Sequence, residues 1–162
     1  RVPLVILRPG IIWGGPDNPR FGSMLAGLKS GLFAFPGRCD APLPFNHVDN
    51  LCDLIERALS SDVTGVFNAT DGDRVSMREF AQALARHHGH RIPERHIPQK
   101  LLLAGLSAFQ VIRNNLAPSF PMALRTDTVK LMNTPCTFDI TEARRQLGHA
   151  PVRREHLAQA RR

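Results

Sequence analysis

Arg8-Pro9-Gly10-Ile11-Ile12-Trp13-Gly14-Gly15-Pro16 follows directly on an apolar run at residues 2–7, and the reading of this junction decides the fold. The run is rich in Val, Ile and Leu and shows no polar alternation. That pattern predicts a strand buried on both faces, as in a parallel sheet. It breaks at Pro9 into a loop rich in Pro and Gly. A strand that opens into such a loop has the character of one wall of a ligand site. The chain of 162 residues contains no tyrosine, so a tyrosine proton donor is not among its own groups.

Composition bounds the rest. A chain of 162 residues, 43% hydrophobic and 22% charged, can bury a core of its own. No basic start precedes a long apolar segment with a small-residue cleavage site, so no signal peptide is expected. The longest apolar stretch, residues 101–112, is interrupted by Gly105, Ser107 and Gln110. It is shorter than the roughly 20 residues of a membrane span. A core helix is expected there, with a membrane-surface helix as the alternative. Cys39, Cys52 and Cys136 are far apart and form no C-x-x-C pair. Neither a zinc site nor a disulfide framework is indicated, and a reducing, cytoplasmic setting is expected.

The net charge of +7 is carried mainly by dispersed arginines. The pairs Arg144-Arg145, Arg153-Arg154 and Arg161-Arg162 fall on polar faces without interleaved aromatics. They predict a solvated surface rather than a nucleic-acid site. His87, His88 and His90 lack an accompanying Cys or carboxylate cluster, and adjacent helical histidines point about 100° apart. No metal site is expected. Ser23 lacks the G-x-S-x-G setting of a hydrolase nucleophile.

Hydrophobic period and end signals predict the elements. A turn is expected at residues 16–19, a helix over 21–32, a loop over 35–44 and an extended piece at 45–48. Asp49 is expected to cap a helix with Leu51, Leu54, Ile55, Ala58 and Leu59 inward. Residues 66–69 read as a second buried strand and Asp71-Gly72-Asp73 as a loop. Ser76 and Glu79 form a capping box before a helix that buries Met77, Phe80, Ala81, Leu84 and Ala85 and stops at Gly89. Residues 92–97 read as an edge strand and 98–114 as a helix, with another over 122–132. The last helix is capped by Asp139 and ends at Gly148. Strands alternating with helices make this an α/β arrangement.

The succession Leu7-Arg8-Pro9-Gly10, Trp13-Gly14, Pro16, then Phe45-Asn46-His47-Val48-Asp49-Asn50-Leu51, then Gly65-Val66-Phe67-Asn68 before Ser76 and Glu79, resembles the C-terminal half of the extended short-chain dehydrogenases. These are the NAD-dependent epimerases, dehydratases and 3β-hydroxysteroid-type dehydrogenases. Phe138-Asp139, Ala143-Arg144, Leu147-Gly148 and Pro151 extend the resemblance to nearly the whole chain. It implies the C-terminal part of a Rossmann-like fold. Residues 1–75 would hold the last sheet strands with interleaved substrate loops, and residues 76–162 a mostly helical substrate-binding subdomain. It also implies NAD or NADP as cofactor and a small-molecule substrate with a hydroxyl or carbonyl centre. The family's Gly-rich fingerprint and Tyr-x-x-x-Lys pair are not in this sequence. Inactivity of the chain alone is therefore expected, and no catalytic residue is assigned.

By the resemblance, Pro9, Gly10, Ile11 and Ile12 line the nicotinamide end of the cofactor. Trp13, Arg20, Leu43 and His47 are the substrate-side candidates. Ile11 stands where many sugar-nucleotide members carry Asn, and Leu43 where they often carry a phosphate-pairing Arg. Both departures turn the expectation toward a non-nucleotide substrate. Two partners would cover an exposed sheet edge, a second copy or a missing N-terminal half. A non-catalytic binding or regulatory derivative is the alternative function.

Overall fold

The computed structural model describes residues 4–14, 27, 33–87, 89–92, 94–116 and 125–152, with the side chains of 111–116 left aside. The expected turn at 16–19, Arg20, all but Gly27 of the helix over 21–32, the start of the helix over 122–132, and the last two arginine pairs lie outside the described residues.

Strand β1 (Val5–Pro9) runs parallel to β6 (Gly65–Ala69), with Ile6 opposite Val66 and Leu7 opposite Phe67. The chain does not loop away after Pro9 as the Pro/Gly content suggests. It continues as β2 (Ile11–Trp13), parallel to β5 (Phe45–His47). Gly10 is the crossing point. Its N–H bonds the Ala69 carbonyl of the first ladder at 3.0 Å, and the N–H of Ile11 bonds the Pro44 carbonyl at 2.7 Å. A Cβ on Gly10 would overlap the Pro44 carbonyl oxygen, so the two ladders meet only because residue 10 has no side chain.

The stretch expected as loop over 35–44 contains two short strands. β3 (Phe35–Pro36) pairs parallel with β8 (His96–Ile97), and β4 (Pro42–Leu43) pairs antiparallel with β7 (Val75–Ser76). Their Pro content hid them from the β pattern. Asn133 ties this region down. Its Oδ1 accepts from the N–H of Cys39, and its Nδ2 donates to the carbonyls of Pro36 and Val129.

Helix α1 (Val48–Leu59) begins one residue earlier than expected. Its cap is His47, whose Nδ1 accepts the N–H of Asp49 at 3.1 Å, while Asp49 sits in the first turn. Its buried stripe is narrower than the sequence stripe. Leu54 is buried with Leu51 and Ala58 packed beside it, whereas Ile55 and Leu59 are exposed. Helix α2 (Met77–His87) follows the capping box as read. The N–H of Ser76 donates to Glu79 Oε2 at 2.9 Å, and the N–H of Glu79 donates to Ser76 Oγ at 3.1 Å. Gly89 takes the left-handed conformation that ends it.

Helix α3 (Gln99–Leu116) is not the core helix expected. Leu101 and Phe109 are exposed, because the helix packs mainly against the short α4 (Thr126–Met132). No described helix is long and apolar enough to cross a membrane. Helix α5 (Thr141–Leu147) starts behind Asp139, whose Oδ1 accepts the N–H and hydroxyl of Thr141. Those two bonds hold the Asp139 carboxyl below its ordinary pKa. Gly148 ends the helix in the left-handed region. Arg144 and Arg145 of α5 are exposed, and Arg145 pairs with Glu142 at 2.7 Å.

Three small cores result. Phe67, Ala69, Leu54, Ala143 and Leu147 join one face of β1–β6 to α1 and α5. Trp13, Leu43, Phe45 and Phe80 make an aromatic core beside β2–β5, with Phe45 and Phe80 stacked at 4.5 Å. Phe35, Cys39 and Ala81 make the third, where burial pushes the Cys39 thiol up to about 11. The strands β1 and β6 are covered on one face only, since Ile6 and Val66 are exposed. The expectation of burial on both faces fails for that pair: α1 and α5 both pack on the Leu7–Phe67 side.

Candidate functional site

The junction at Gly10 places the carboxyl ends of β1 and β6 beside the amino ends of β2 and β5. Parallel strands end here, and open α/β sheets bind ligands outside such ends. Of the four residues expected to line a cofactor, the structure exposes Pro9 and Ile12, the latter at 40%. Gly10 and Ile11 are half-buried, and their N–H groups are spent on Ala69 and Pro44. The N–H groups of Gly10 and Ile11 are therefore closed to a ligand, and the exposed surface of this stretch is the Pro9 ring and the Ile12 side chain.

The substrate-side candidates separate. Trp13 and His47 come together, with ring centroids 4.5 Å apart in an edge-to-face arrangement. Gly14 makes this possible: it has a φ of +94°, and a Cβ there would lie 2.5 Å from His47 Nε2. Leu43 is fully buried among Phe45, Phe80 and Trp13, so its side chain presents no surface to a ligand. Arg20 lies outside the described residues.

Sequence reasoning missed the group that organises this region. Asp71, read as a loop residue, is its polar hub. Its Oδ2 accepts from Trp13 Nε1 at 3.0 Å. Its Oδ1 accepts from Asn50 Nδ2 at 2.7 Å. The N–H of His47 is shared between the two oxygens at 2.9 and 3.0 Å. The main chain of Asp71 joins in, since its N–H donates to the Phe45 carbonyl at 2.8 Å. One carboxylate thus orients the indole, the start of α1 and the last residue of β5. The one available signal was an Asp two residues beyond a buried strand, and local pattern does not distinguish it from turn chemistry.

A second polar cluster lies behind the hub. Asn50 Oδ1 accepts the N–H of Val152, which binds the segment after α5 to α1. His149 is 2% exposed, and its Nε2 lies 3.1 Å from the Thr70 carbonyl. A carbonyl only accepts, so Nε2 carries the proton and Nδ1 is the unprotonated nitrogen. Burial lowers the His149 pKa, against the opposing pull of the Thr70 bond and of Asp53 and Asp71; Arg144 adds slightly to the lowering. The unfolded chain therefore takes up a proton near the ordinary histidine value of about 6.5 before the native one does. This contribution to stability is complete above about 6.5 and is lost as pH falls toward the native value. Melting midpoints measured between pH 7.5 and 5 are expected to fall in that window. His149→Gln, which keeps an N–H donor for Thr70, is expected to flatten that part of the profile.

Beyond the strand ends, Pro44, Thr70, Gly72, Asp73, Arg74 and the segment Thr137–Asp139 enclose an open cleft of about 280 Å³. No group of three metal-ligating side chains occurs among the described residues.

No family model matches the sequence. The chain is 28% identical to the 3beta-hydroxysteroid-dehydrogenase/decarboxylase isoform 2 of Arabidopsis thaliana, across 90% of this chain and 28% of that protein. Its fold matches the human epimerase family protein SDR39U1, solved with NADPH, with a TM-score of 0.61 and 20% identity over 98% of this chain and 47% of that one. The UDP-N-acetylglucosamine 4-epimerase of Bacillus cereus matches with a TM-score of 0.62 and 15% identity, over 99% of this chain and 49% of that one. The chain thus spans about half the length of its structural neighbours and less than a third of the plant relative. The fold is the Rossmann-like α/β fold of these two neighbours. The sequence likeness to the plant dehydrogenase/decarboxylase agrees with the resemblance to part of an extended short-chain dehydrogenase.

Proposed function

We propose that this chain supplies the substrate side and one cofactor wall of an NAD(P)-dependent oxidoreductase or epimerase acting on a hydroxyl or carbonyl centre. One observation carries the reading. The Pro9–Ile12 stretch is held by two backbone bonds at the ends of parallel strands, with Pro9 and Ile12 facing outward. A flat apolar ring such as nicotinamide fits against such a pair, because neither side chain competes for its polar edge. NAD or NADP supplies hydride transfer when bound. These residues hold and orient the ring, and Trp13 and His47 border the substrate side under the control of Asp71. The proton donor lies outside these 162 residues, which contain no tyrosine, and the chain alone is inactive. Ile11 packs against the aromatic core and Leu43 is sealed within it. Neither offers a partner to a phosphate, which favours a non-nucleotide substrate.

The test is a chimera in which this chain replaces its matching segment in the Arabidopsis relative. NADPH binding is followed by the cofactor's fluorescence. The chimera is expected to bind, and Ile12→Glu is expected to weaken binding by at least about tenfold, with an unchanged melting midpoint in the absence of cofactor. Equal affinity in both proteins would remove Ile12 from the cofactor wall.

A further inference from the structure

Asn46 is 0% exposed, and neither its Oδ1 nor its Nδ2 has a hydrogen-bond partner among the described residues. Turning the carboxamide over changes nothing, since both atoms are unpaired. An amide buried in this way costs free energy at both ends, and an apolar side chain of similar shape would remove that cost. Native cores keep few such groups, and each calls for an explanation. Other buried polar side chains nearby are completed within the chain: Asn50 by Asp71 and Val152, and Ser76 by Glu79.

The place of Asn46 narrows what completes it. It is the middle residue of β5, opposite Ile12 of β2. Phe45 turns into the aromatic core and His47 onto Trp13, so alternation puts Asn46 on the other face of the ladder, the face of Ile12. Neighbouring strands lie about 4.8 Å apart, which sets these two side chains side by side. Ile12 is 40% exposed and belongs to the proposed cofactor wall. That wall presents apolar side chains at Pro9 and Ile12, and the N–H groups of Gly10 and Ile11 are closed by Ala69 and Pro44. Of the polar side chains on β2 and β5, Trp13 donates to Asp71 and His47 accepts from Asp49. Asn46 is the one left without a partner among the described residues.

We infer that Asn46 fixes the cofactor ring: once the Ile12 side chain turns aside, the Asn46 carboxamide pairs with the carboxamide of a nicotinamide lying against the Pro9–Ile12 stretch. Two primary amides suit each other. Each offers one acceptor and one N–H in the same plane, so the pair closes with two hydrogen bonds. The pair sets the rotation of the ring, which apolar contact with Pro9 and Ile12 alone leaves free. In the ligand-free chain the same amide is sealed and unpaired, a stability cost that binding relieves. The inference rests on the oxidoreductase reading for the identity of the ligand, and on the unpaired amide for its location.

Melting of the isolated chain and ligand binding by the chimera test it. Asn46→Leu, of similar shape without the amide, is expected to raise the melting midpoint of the isolated chain by at least about 2 °C. In the chimera it is expected to weaken NADPH binding at least about tenfold, while 2′-phospho-ADP-ribose, which lacks the ring, binds both proteins equally. The acetylpyridine analogue of NADPH carries a methyl ketone with no NH2 group. The unsubstituted chimera is expected to bind it several-fold more weakly than NADPH, and that difference is expected to vanish in Asn46→Leu. A lower melting midpoint for Asn46→Leu would overturn the inference, because the amide would then be bonded within the chain. A raised midpoint with unchanged NADPH affinity would also overturn it, in favour of a buried water as the sole partner. Equal binding of NADPH and its analogue by the unsubstituted chimera would do the same without any substitution. All three outcomes leave the oxidoreductase reading standing as long as the chimera binds NADPH. A chimera that binds neither NADPH nor 2′-phospho-ADP-ribose would sink that reading, and the inference with it.

Discussion

Asp71→Ala is expected to be the most destabilising single polar substitution in the described part of the chain. The carboxylate meets three donors from three elements: the Trp13 indole, the Asn50 amide and the His47 backbone. Its removal leaves part-buried N–H groups without their acceptor. Each such group costs about 1–3 kcal/mol, and bonds to a charged acceptor lie at the upper end of that range. A total of about 3–5 kcal/mol is expected after partial access of water. For a chain of this size that corresponds to a melting midpoint lower by roughly 10 °C or more. Asp71→Asn separates charge from shape. In either orientation of the carboxamide, its NH2 group faces a donor, Trp13 Nε1 on one side or Asn50 Nδ2 on the other. The Asn variant is therefore expected to lose about 2–3 kcal/mol, well beyond a conservative exchange. Thermal unfolding with Trp13 fluorescence reads both quantities at once, because Trp13 is the sole tryptophan. A loss below about 1 kcal/mol for both variants would show that Asp71 does not hold the site together.

Gly10→Ala is the second large effect, and its cause is steric. Gly10 has an ordinary negative φ, since it is not among the residues in the left-handed region. Its added methyl would meet the carbonyl of Pro44 rather than a movable side chain. Relief requires the ladders β1–β6 and β2–β5 to separate, which breaks the bond from Ile11 to Pro44, the bond from Gly10 to Ala69, or both. Overpacking against fixed backbone costs typically 1–3 kcal/mol, and a lost backbone bond adds about 1 kcal/mol. A destabilisation of about 3 kcal/mol is expected in urea unfolding. Gly89→Ala serves as the control, because nothing lies near its Cβ position and only backbone strain of about 1 kcal/mol applies. Equal losses at the two positions would mean that the junction is looser than drawn.

What was legible in the sequence follows from how local each signal is. The capping box at Ser76–Glu79, the inward face of α2 and the stops at Gly89 and Gly148 depend on neighbours within one helical turn, and they were readable. The α/β class followed from the alternation of such elements. The second strand after Gly10 was hidden, because Ile11–Trp13 is only three residues long and owes its extension to pairing with Phe45–His47, more than thirty residues away. The sidedness of β1 was hidden for a related reason: Ile6 and Leu7 are equally apolar, and only the placement of α1 and α5 decides which one is covered. The candidate site was half visible. Pro9, Ile12, Trp13 and His47 were named from the family resemblance. Asp71, Asn50 and His149 were not, because their roles come from bonds across 21 to 102 residues of chain that no short pattern records.

We propose the Gly10 junction as the cofactor wall. The most direct measurement is amide chemical-shift mapping on the isotope-labelled chimera titrated with NADPH. The largest shifts are expected on Gly10, Ile11, Ile12 and Trp13. Shifts concentrated instead on the cleft at Thr70–Arg74 and Thr137–Asp139, with Gly10–Trp13 unmoved at saturating NADPH, would contradict it.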